Sequence, residues 1–189
     1  MTSWNIVISG PCGVGKSTIS KLLAEELAIA YIDFDEFRRK ANSERKDVTS
    51  LPCSVGDLDL EKCISGYLDQ FDGFLLDIGG DTVFRAKVDN DDRLKQILWL
   101  KETYKTLIVI LAAEEDILKS RFIASYKERT PERFKNVWAD WVAYERPNWI
   151  KCADVFFDTT RYTDLNLDQL IIALYTKVVE LHERPSKDS

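Results

Sequence analysis

Residues 10–17, GPCGVGKS, have the spacing G-x-x-x-x-G-K-S of a phosphate-binding loop. Glycines let the backbone curl so that its N–H groups point at an anion, and a following helix N-terminus adds its positive dipole end. Lys16 would place a charge on the outer phosphates, and the Ser17 hydroxyl would bind Mg²⁺. The alternative, a glycine turn with an exposed lysine, is disfavoured because a buried strand precedes the complete motif and an amphipathic helix follows it.

The loop therefore predicts a nucleoside triphosphate site. Cys12 lies inside the loop, either as a small filler or as a thiol activated by the helix N-terminus. The sequence contains no N-K-x-D motif for guanine, so ATP is the expected nucleotide. The expected contact residues are Gly10, Cys12, Gly13, Val14, Gly15, Lys16, Ser17 and Thr18.

Three aspartates follow predicted strands and could serve a metal ion and a reacting group. Asp77 ends an apolar run, as a Walker-B acid does. It would hold Mg²⁺ directly or through water. The alternative is that it hydrogen-bonds the neighbouring loop. Asp33 and Asp35 end the second strand, where the carboxyl edge of an open α/β sheet forms the ligand crevice. One of the pair would help to position the metal, and the other would accept the proton of an acceptor hydroxyl. The alternative is that either aspartate merely caps the following helix.

Short apolar runs alternate with amphipathic stretches along the whole chain, and these elements must position the loop and the aspartates. The runs predict strands over 4–9, 30–33, 74–78, 107–111 and 155–157. The stretches predict helices over 16–27, 35–41, 58–70, 93–102, 117–125, 134–146 and 164–181, with the sixth ending before Pro147. Five strands that alternate with helices require a mainly parallel sheet covered on both faces. We expect one domain over residues 1–182 and a frayed tail over 183–189.

Composition excludes several classes of protein. The chain has 189 residues and a net charge of −6, which argues against bulk electrostatic binding to nucleic acid or to an anionic membrane. No apolar run is long enough to span a bilayer, and no signal peptide is visible. The four cysteines form neither a C-x-x-C pair nor a zinc spacing, so a reduced, cytoplasmic compartment is expected.

Four groups of residues resemble the shikimate kinase family and related small P-loop kinases. They are the loop at 10–17, the D-x-D at 33–35, the pair Gly79-Gly80, and a stretch over 145–159 similar to R-x-P-x-Y…A-D…D-T. The resemblance spans nearly the whole chain. It implies a doubly wound α/β fold of three layers, the P-loop NTPase fold, with five parallel strands in the order 2-3-1-4-5.

The resemblance also implies roles for individual residues. Asp35 would contact the acceptor, Asp33 would lie near the magnesium, Gly79 and Gly80 would face the acceptor, and Arg146 would grip it. Arg121 would lie near the adenine. One departure concerns the segment 47–74, which contains no arginine although the family places a carboxylate-binding arginine there.

A basic segment over residues 125–137 is expected to form a lid above the nucleotide. Arg129 and Arg133 are its candidates for stabilising the transferring phosphoryl group, although a solvated polar surface is an alternative for each. Phe134, Trp138, Trp141, Tyr144 and Trp149 follow in near-helical spacing. Such a stripe indicates core packing, and the alternative is a wall against an acceptor ring or a protein partner.

The sequence thus predicts a kinase that uses ATP and Mg²⁺ to phosphorylate a hydroxyl group of a small molecule. Lys16, Asp35, Arg129 and Arg133 would carry the reaction, and Ser17, Asp33 and Asp77 would hold the metal. Two alternatives stay open: a small regulatory ATPase, and a nucleotide-binding module that acts through a protein partner.

Overall fold

A five-stranded parallel sheet forms the centre of the molecule. The computed structural model describes residues 4–44, 58–125, 129–162 and 166–182. Its strands are β1 Asn5–Ser9, β2 Ala30–Asp33, β3 Phe74–Asp77, β4 Leu107–Ala112 and β5 Val155–Asp158. The sheet order is β2-β3-β1-β4-β5, which confirms the predicted topology.

The register of the sheet brings the predicted site residues to one edge. Ile8 of β1 pairs with Asp77 of β3, and Asp77 pairs in turn with Asp33 of β2. Since all the strands are parallel, their carboxyl ends meet at this edge, where the loops after β1, β2 and β3 surround a common space. The strand order and register therefore place the phosphate loop beside the two aspartates.

Helices cover both faces of the sheet, and they start or end within a few residues of the predicted limits. The end of the second helix is a correction, because it reaches Glu44 rather than residue 41. A short helix directly after Gly79 was not predicted, because four residues show no periodicity. The α-helices are α1 Lys16–Glu26, α2 Phe34–Glu44, α3 Leu60–Leu68, α4 Gly80–Val83, α5 Asn90–Tyr104, α6 Glu115–Ser125, α7 Pro131–Asp140, α8 Arg146–Trp149 and α9 Leu167–His182.

Alternate residues of the strands pack into two hydrophobic cores, one on each face of the sheet, because successive side chains of a strand point to opposite faces. Val7, Ile32 and Leu76 pack on one face with residues of α3 and α5. Ile8 and Leu75 pack on the other face with residues of α1, α6 and α9. Burial on both faces explains why the strands read as continuous apolar runs rather than as alternating ones.

The sixth predicted helix does not end before Pro147, and that prediction is wrong. A π-helical turn, Trp141–Glu145, follows α7, and the chain then continues as α8. The Arg146 N–H bonds to the Trp141 carbonyl, and Pro147 follows at the start of α8, where its missing N–H is least disruptive. The wider turn accommodates the proline and changes the rotational phase of the residues beside it.

The aromatic stripe is mainly a core element. Phe134, Trp141 and Trp149 are buried, and Trp138 packs against both cores. Tyr144 is partly exposed. The core interpretation is therefore confirmed for the buried members, and these side chains are not available to a protein partner.

The expected lid is partly helical. Thr130 accepts a hydrogen bond from the Arg133 N–H and caps α7, which begins at Pro131. Residues 126–128 of the lid and the tail over 183–189 lie outside the described residues. The polar segment over 42–56, which Pro52 and Gly56 predict to be a loop, also lies mostly outside them.

Two further observations concern the cysteines and the membrane. Cys12 and Cys152 carry free thiols, but Cys63 is disulfide-bonded, so the expectation of reduced cysteines is wrong for Cys63. Spacing and composition alone do not report which thiols meet in the fold. In the described part of the chain, every helix is too short or too polar to cross a bilayer.

Candidate functional site

The phosphate loop curls because three glycines adopt backbone angles that other residues rarely take. Gly10, Gly13 and Gly15 have φ of 150°, 90° and 91°. A side chain on Gly10 would also overlap the Leu111 carbonyl oxygen, because the loop packs closely on β4. Glycine is therefore needed there both for conformation and for close approach.

The first turn of α1 is open toward the loop. Its N-cap residue is Gly15, and no side-chain oxygen accepts a hydrogen bond from the N–H groups at this end. The first N–H groups of a helix lack intrahelical partners and, together with the helix dipole, favour a bound anion. A phosphate group suits this position.

Lys16 lies across the mouth of the loop. Its ammonium donates hydrogen bonds to the carbonyl oxygens of Gly10 at 2.8 Å and Pro11 at 3.2 Å. Burial raises the pKa of the carboxyl groups of Asp77 and Glu145. The charge of Lys16 opposes this rise in both. Lys16 is thus the cation of the phosphate loop and a counter-charge for both buried acids.

The acids at the ends of β2 and β3 form an oxygen-rich cluster beside Ser17. Asp77 is 5% exposed, and burial raises its pKa, while the charge of Lys16 and a hydrogen bond with Ser17 oppose that rise. Tyr31 places its hydroxyl 3.4 Å from Asp77 Oδ2, and its own pKa is raised by burial and by the charges of Asp77 and Asp33. Because these hydroxyl and carboxylate oxygens are hard ligands, they fit Mg²⁺.

Asp33 also caps a helix. Its Oδ1 accepts a hydrogen bond from the Glu36 N–H at 2.9 Å, in the first turn of α2. The capping alternative is therefore realised, and Asp33 also borders the cavity. Among the described residues, no group of three or more His, Cys, Asp or Glu could hold a metal by itself. At a nucleotide, Mg²⁺ takes one or two protein ligands besides phosphate oxygens and water.

Asp35 is held in place by the short helix that follows β3. Its Oδ1 accepts a hydrogen bond from the Thr82 hydroxyl at 2.9 Å and lies 3.4 Å from a guanidinium nitrogen of Arg38. A Cβ on Gly79 would lie 3.0 Å from Asp35 Oδ2 and 2.9 Å from Thr82 Oγ1. Gly79 thus leaves room for the carboxylate, and the side chain of Asp35 stays 43% exposed toward the crevice.

These groups border one cavity of about 810 Å³, the main cavity. Most of the residues that the sequence predicted for the site border this cavity. They come from the phosphate loop, from the ends of β2 and β3, and from the two arginines of the later part of the chain. The predicted residues that border it are Cys12, Gly13, Gly15, Lys16, Ser17, Thr18, Asp33, Asp35, Asp77, Gly79, Gly80, Arg121 and Arg129.

Four predicted residues do not border the main cavity. Gly10 is buried at the start of the loop, where its carbonyl accepts the Lys16 hydrogen bond, and Val14 is a buried core residue. Arg133 and Arg146 are exposed on the surface. Arg129 does border the cavity, with its guanidinium carbon 4.7 Å from the centre of the Phe122 ring.

A smaller side cavity of about 330 Å³ adjoins the loop on the other side of α1. Its lining is mainly apolar and includes Val14, Ile19 and Leu170. Arg121 borders both cavities and donates hydrogen bonds to the carbonyl oxygens of Thr159 at 3.2 Å and Tyr162 at 2.5 Å. A flat apolar group attached to the phosphates would fit here.

Several residues of the site were not predicted. Thr82 and Asp81 directly follow Gly79-Gly80, and Arg39 lies one turn after Asp35; their proximity to the motifs was the available signal. Tyr31 precedes Asp33 by two residues and so points to the same side of β2. Glu145, beside the expected Arg146, is the largest departure, because the π-helical turn places the glutamate rather than the arginine at the cavity.

Replacing Gly10 by alanine should lower the free energy of unfolding by more than about 2 kcal/mol, because the new methyl group would overlap a backbone carbonyl at a strained φ. Gly66→Ala is the matched control. Gly66 lies in α3, with nothing within 4 Å of an added Cβ, so alanine should stabilise by about 0.5–1 kcal/mol. Urea unfolding of the two variants measures both effects, and equal stabilities would contradict the packing described here.

The strand order and the glycine loop between β1 and α1 define the fold of a P-loop kinase. The sequence profile of the shikimate kinase family matches residues 12–176. The chain therefore belongs to the shikimate kinase family.

Curated relatives share the motifs over part of their length. A shikimate kinase of Hahella chejuensis is 34% identical over 93 residues, which cover 49% of this chain and 47% of the relative. A shikimate kinase of Pseudoalteromonas translucida is 32% identical over 100 residues, covering 52% and 58%. The chain thus spans about half the length of the curated relatives it matches.

Solved structures share the fold over nearly the whole chain. A shikimate kinase of Bacteroides thetaiotaomicron aligns with a TM-score of 0.64 and 17% identity, covering 94% of this chain and 98% of the other. A gluconokinase of Sinorhizobium meliloti aligns with a TM-score of 0.61 and 15% identity, covering 96% and 95%. At these identities the likeness concerns the fold.

Proposed function

We propose that the protein transfers the γ-phosphoryl group of ATP to a hydroxyl group of a small molecule, with Mg²⁺ as cofactor. One observation carries the proposal: a single cavity joins the phosphate loop and Lys16 to the carboxylate of Asp35. Membership of the shikimate kinase family supports the same activity.

The donor half of the cavity binds and polarises the triphosphate. The loop N–H groups and the N-terminus of α1 donate to phosphate oxygens, and Lys16 exchanges its loop carbonyl partners for the outer phosphates. Ser17, Asp33 and Asp77 would hold Mg²⁺, with Tyr31 orienting Asp77. When bound, the ion neutralises charge on the phosphates.

The acceptor half orients the attacking hydroxyl. Asp35 accepts its proton as the acceptor oxygen bonds to the γ-phosphorus, while the bond from that phosphorus to the β–γ bridging oxygen breaks and ADP leaves. Thr82 and Gly79 fix the carboxylate for this task. Gly79 and Gly80 border the acceptor space, and Arg146 stays a prediction as an acceptor contact that needs movement from its exposed position.

Arg129 is the better placed of the two lid arginines for stabilising the charge of the transferring group. It borders the cavity, whereas Arg133 is exposed and would have to move with α7. Preorganised cations near the equatorial oxygens lower the barrier, and closure above them would exclude water. Arg121 and the side cavity would receive the adenine, which supports ATP as the donor.

A regulatory ATPase that works through a protein partner is less well supported, because the aromatic side chains that suggested a partner surface are mostly buried. The partner we propose is the small-molecule acceptor. The cytoplasmic location stays a prediction.

Asp35→Asn should lower kcat for acceptor phosphorylation by about 10²–10⁴-fold and leave ATP affinity unchanged, because the amide keeps the shape but cannot accept the hydroxyl proton. Coupled ADP release with the acceptor, and calorimetry with an ATP analogue, measure the two quantities. Asp72→Asn is the control, since Asp72 is exposed beside the amino end of β3, at the opposite edge of the sheet. A wild-type rate in Asp35→Asn would refute the assignment of the base.

A further inference from the structure

The hydroxyl group of Tyr31 lies between two elements that carry candidate metal ligands. Tyr31 belongs to β2, and its hydroxyl donates a hydrogen bond to Asp77 Oδ2 of β3 at 3.4 Å. A hydrogen bond with the Ser17 hydroxyl of α1 lowers the pKa of Tyr31 and also that of Asp77. Three side chains, one from each of β2, α1 and β3, therefore form a closed set of hydrogen bonds.

The Tyr31 ring is fixed in place below this hydroxyl group. It packs against the hydrophobic core that lies between the sheet and α1. The ammonium of Lys21, one helical turn after Ser17, lies 5.5 Å from the centre of the ring, a distance at which a cation and an aromatic face attract each other. Because the ring is held from two sides, the position of its hydroxyl relative to Ser17 and Asp77 is defined by the fold.

The directions of the hydrogen bonds suit a metal ligand at Ser17. A hydroxyl group has one proton to donate and two lone pairs, so a cation bound to the Ser17 oxygen requires the Ser17 proton to point toward another acceptor. Tyr31 and Asp77 are acceptors within reach. Tyr31 can accept from Ser17 and donate to Asp77 at the same time, which leaves the Ser17 oxygen free for the ion.

We propose that Tyr31 is a positioning residue of the metal site. Its hydroxyl holds the Ser17 oxygen and the Asp77 carboxylate in a fixed relation, so that a divalent cation at the nucleotide meets both without rearrangement of either. The inference rests on the proposed function, because that function assigns Mg²⁺ to Ser17, Asp33 and Asp77. It adds a residue that acts through the ligands and touches neither the nucleotide nor the acceptor.

The variant Tyr31→Phe tests this role, because it removes the hydroxyl and keeps the ring. The measured quantity is the factor by which Mg²⁺ increases the affinity for an ATP analogue, obtained by calorimetry with Mg²⁺ and with a chelator. This factor should fall by about fivefold or more in Tyr31→Phe, which corresponds to the loss of one hydrogen bond. The affinity without metal should change by less than about twofold.

Tyr175→Phe is the matched control. Tyr175 lies on α9 and packs against the same core, so its variant loses a hydroxyl of the same kind away from the metal ligands. Both affinities should equal those of the wild type. In the background Asp77→Ala, the further change Tyr31→Phe should have a clearly smaller effect than in the wild type, because one of its two partners is already absent.

The outcomes separate this inference from the proposed function. A wild-type factor in Tyr31→Phe overturns the positioning role, and so does a full effect of Tyr31→Phe in the Asp77→Ala background. An equal loss of affinity with and without Mg²⁺ would show a general defect of the phosphate loop and also overturns it. If the factor falls as expected but no acceptor is phosphorylated, the role of Tyr31 stands and the proposed phosphoryl transfer fails.

Discussion

Replacing Lys16 by alanine should abolish detectable binding of ATP and lower any residual turnover by about 10²–10³-fold. Two effects add in the same direction. The variant loses the positive charge at the mouth of the phosphate loop. In the wild type, the Lys16 ammonium donates hydrogen bonds there to the carbonyl oxygens of Gly10 and Pro11. The variant also loses the charge that lowers the pKa of Asp77, an acid we assign to the metal.

Calorimetry with Mg²⁺ and an ATP analogue measures the loss of affinity, and ADP release measures the loss of turnover. Lys95→Ala is the matched control, because Lys95 is an exposed lysine on α5 and does not border the cavity. The control should bind and react as the wild type does. Unchanged affinity in Lys16→Ala would remove the basis for placing the triphosphate in this loop.

The part of the site that the sequence predicted is the part that local patterns specify. The phosphate loop is one continuous segment, and its glycines, Lys16 and Ser17 lie in consecutive positions. The strand positions follow from the alternating apolar runs, and the strand order follows from the resemblance to small P-loop kinases. Because Asp33 and Asp77 end adjacent strands, that order also brings them together.

The part that the sequence missed depends on the phase of a helix. A regular helix through residues 141–149 cannot be told from one with a π-helical turn, because no periodicity changes over a single turn. Because of this turn, Glu145 borders the cavity and Arg146 lies on the surface. Pro147 is the available signal: on sequence it predicts the end of the helix, whereas in the structure a π-helical turn precedes it and the chain continues as α8.

The hydrogen bonds between residues far apart in sequence are a second feature of the site that could not be predicted from the sequence. Thr82 donates to Asp35 from 47 residues away, and Tyr31 of β2 donates to Asp77 of the adjacent strand β3. Neither threonine nor tyrosine is unusual at such positions. Only the tertiary fold shows that these hydroxyl groups orient the two acids.

Glu145→Gln should stabilise the protein at alkaline pH and have little effect on stability in acid. Burial and the charges of Asp81 and Asp140 raise the pKa of Glu145 to about 8, against an ordinary value of 4.5 in the unfolded chain. Between these values the unfolded state releases the proton and the folded state keeps it. The free energy of unfolding of the wild type therefore falls as pH rises from about 4.5 to about 8, by roughly 4 kcal/mol in total.

The glutamine variant carries no titrating group at this position, so its free energy of unfolding does not fall for this reason as the pH rises. Urea unfolding of both proteins at several pH values should give similar stabilities near pH 4.5 and a difference that grows to roughly 4 kcal/mol near pH 8. Glu102→Gln, on the surface of α5, should follow the wild type at every pH. A pH-independent difference would mean that Glu145 titrates normally. A growing one would show that the fold tolerates an unfavourable acid at the border of the main cavity.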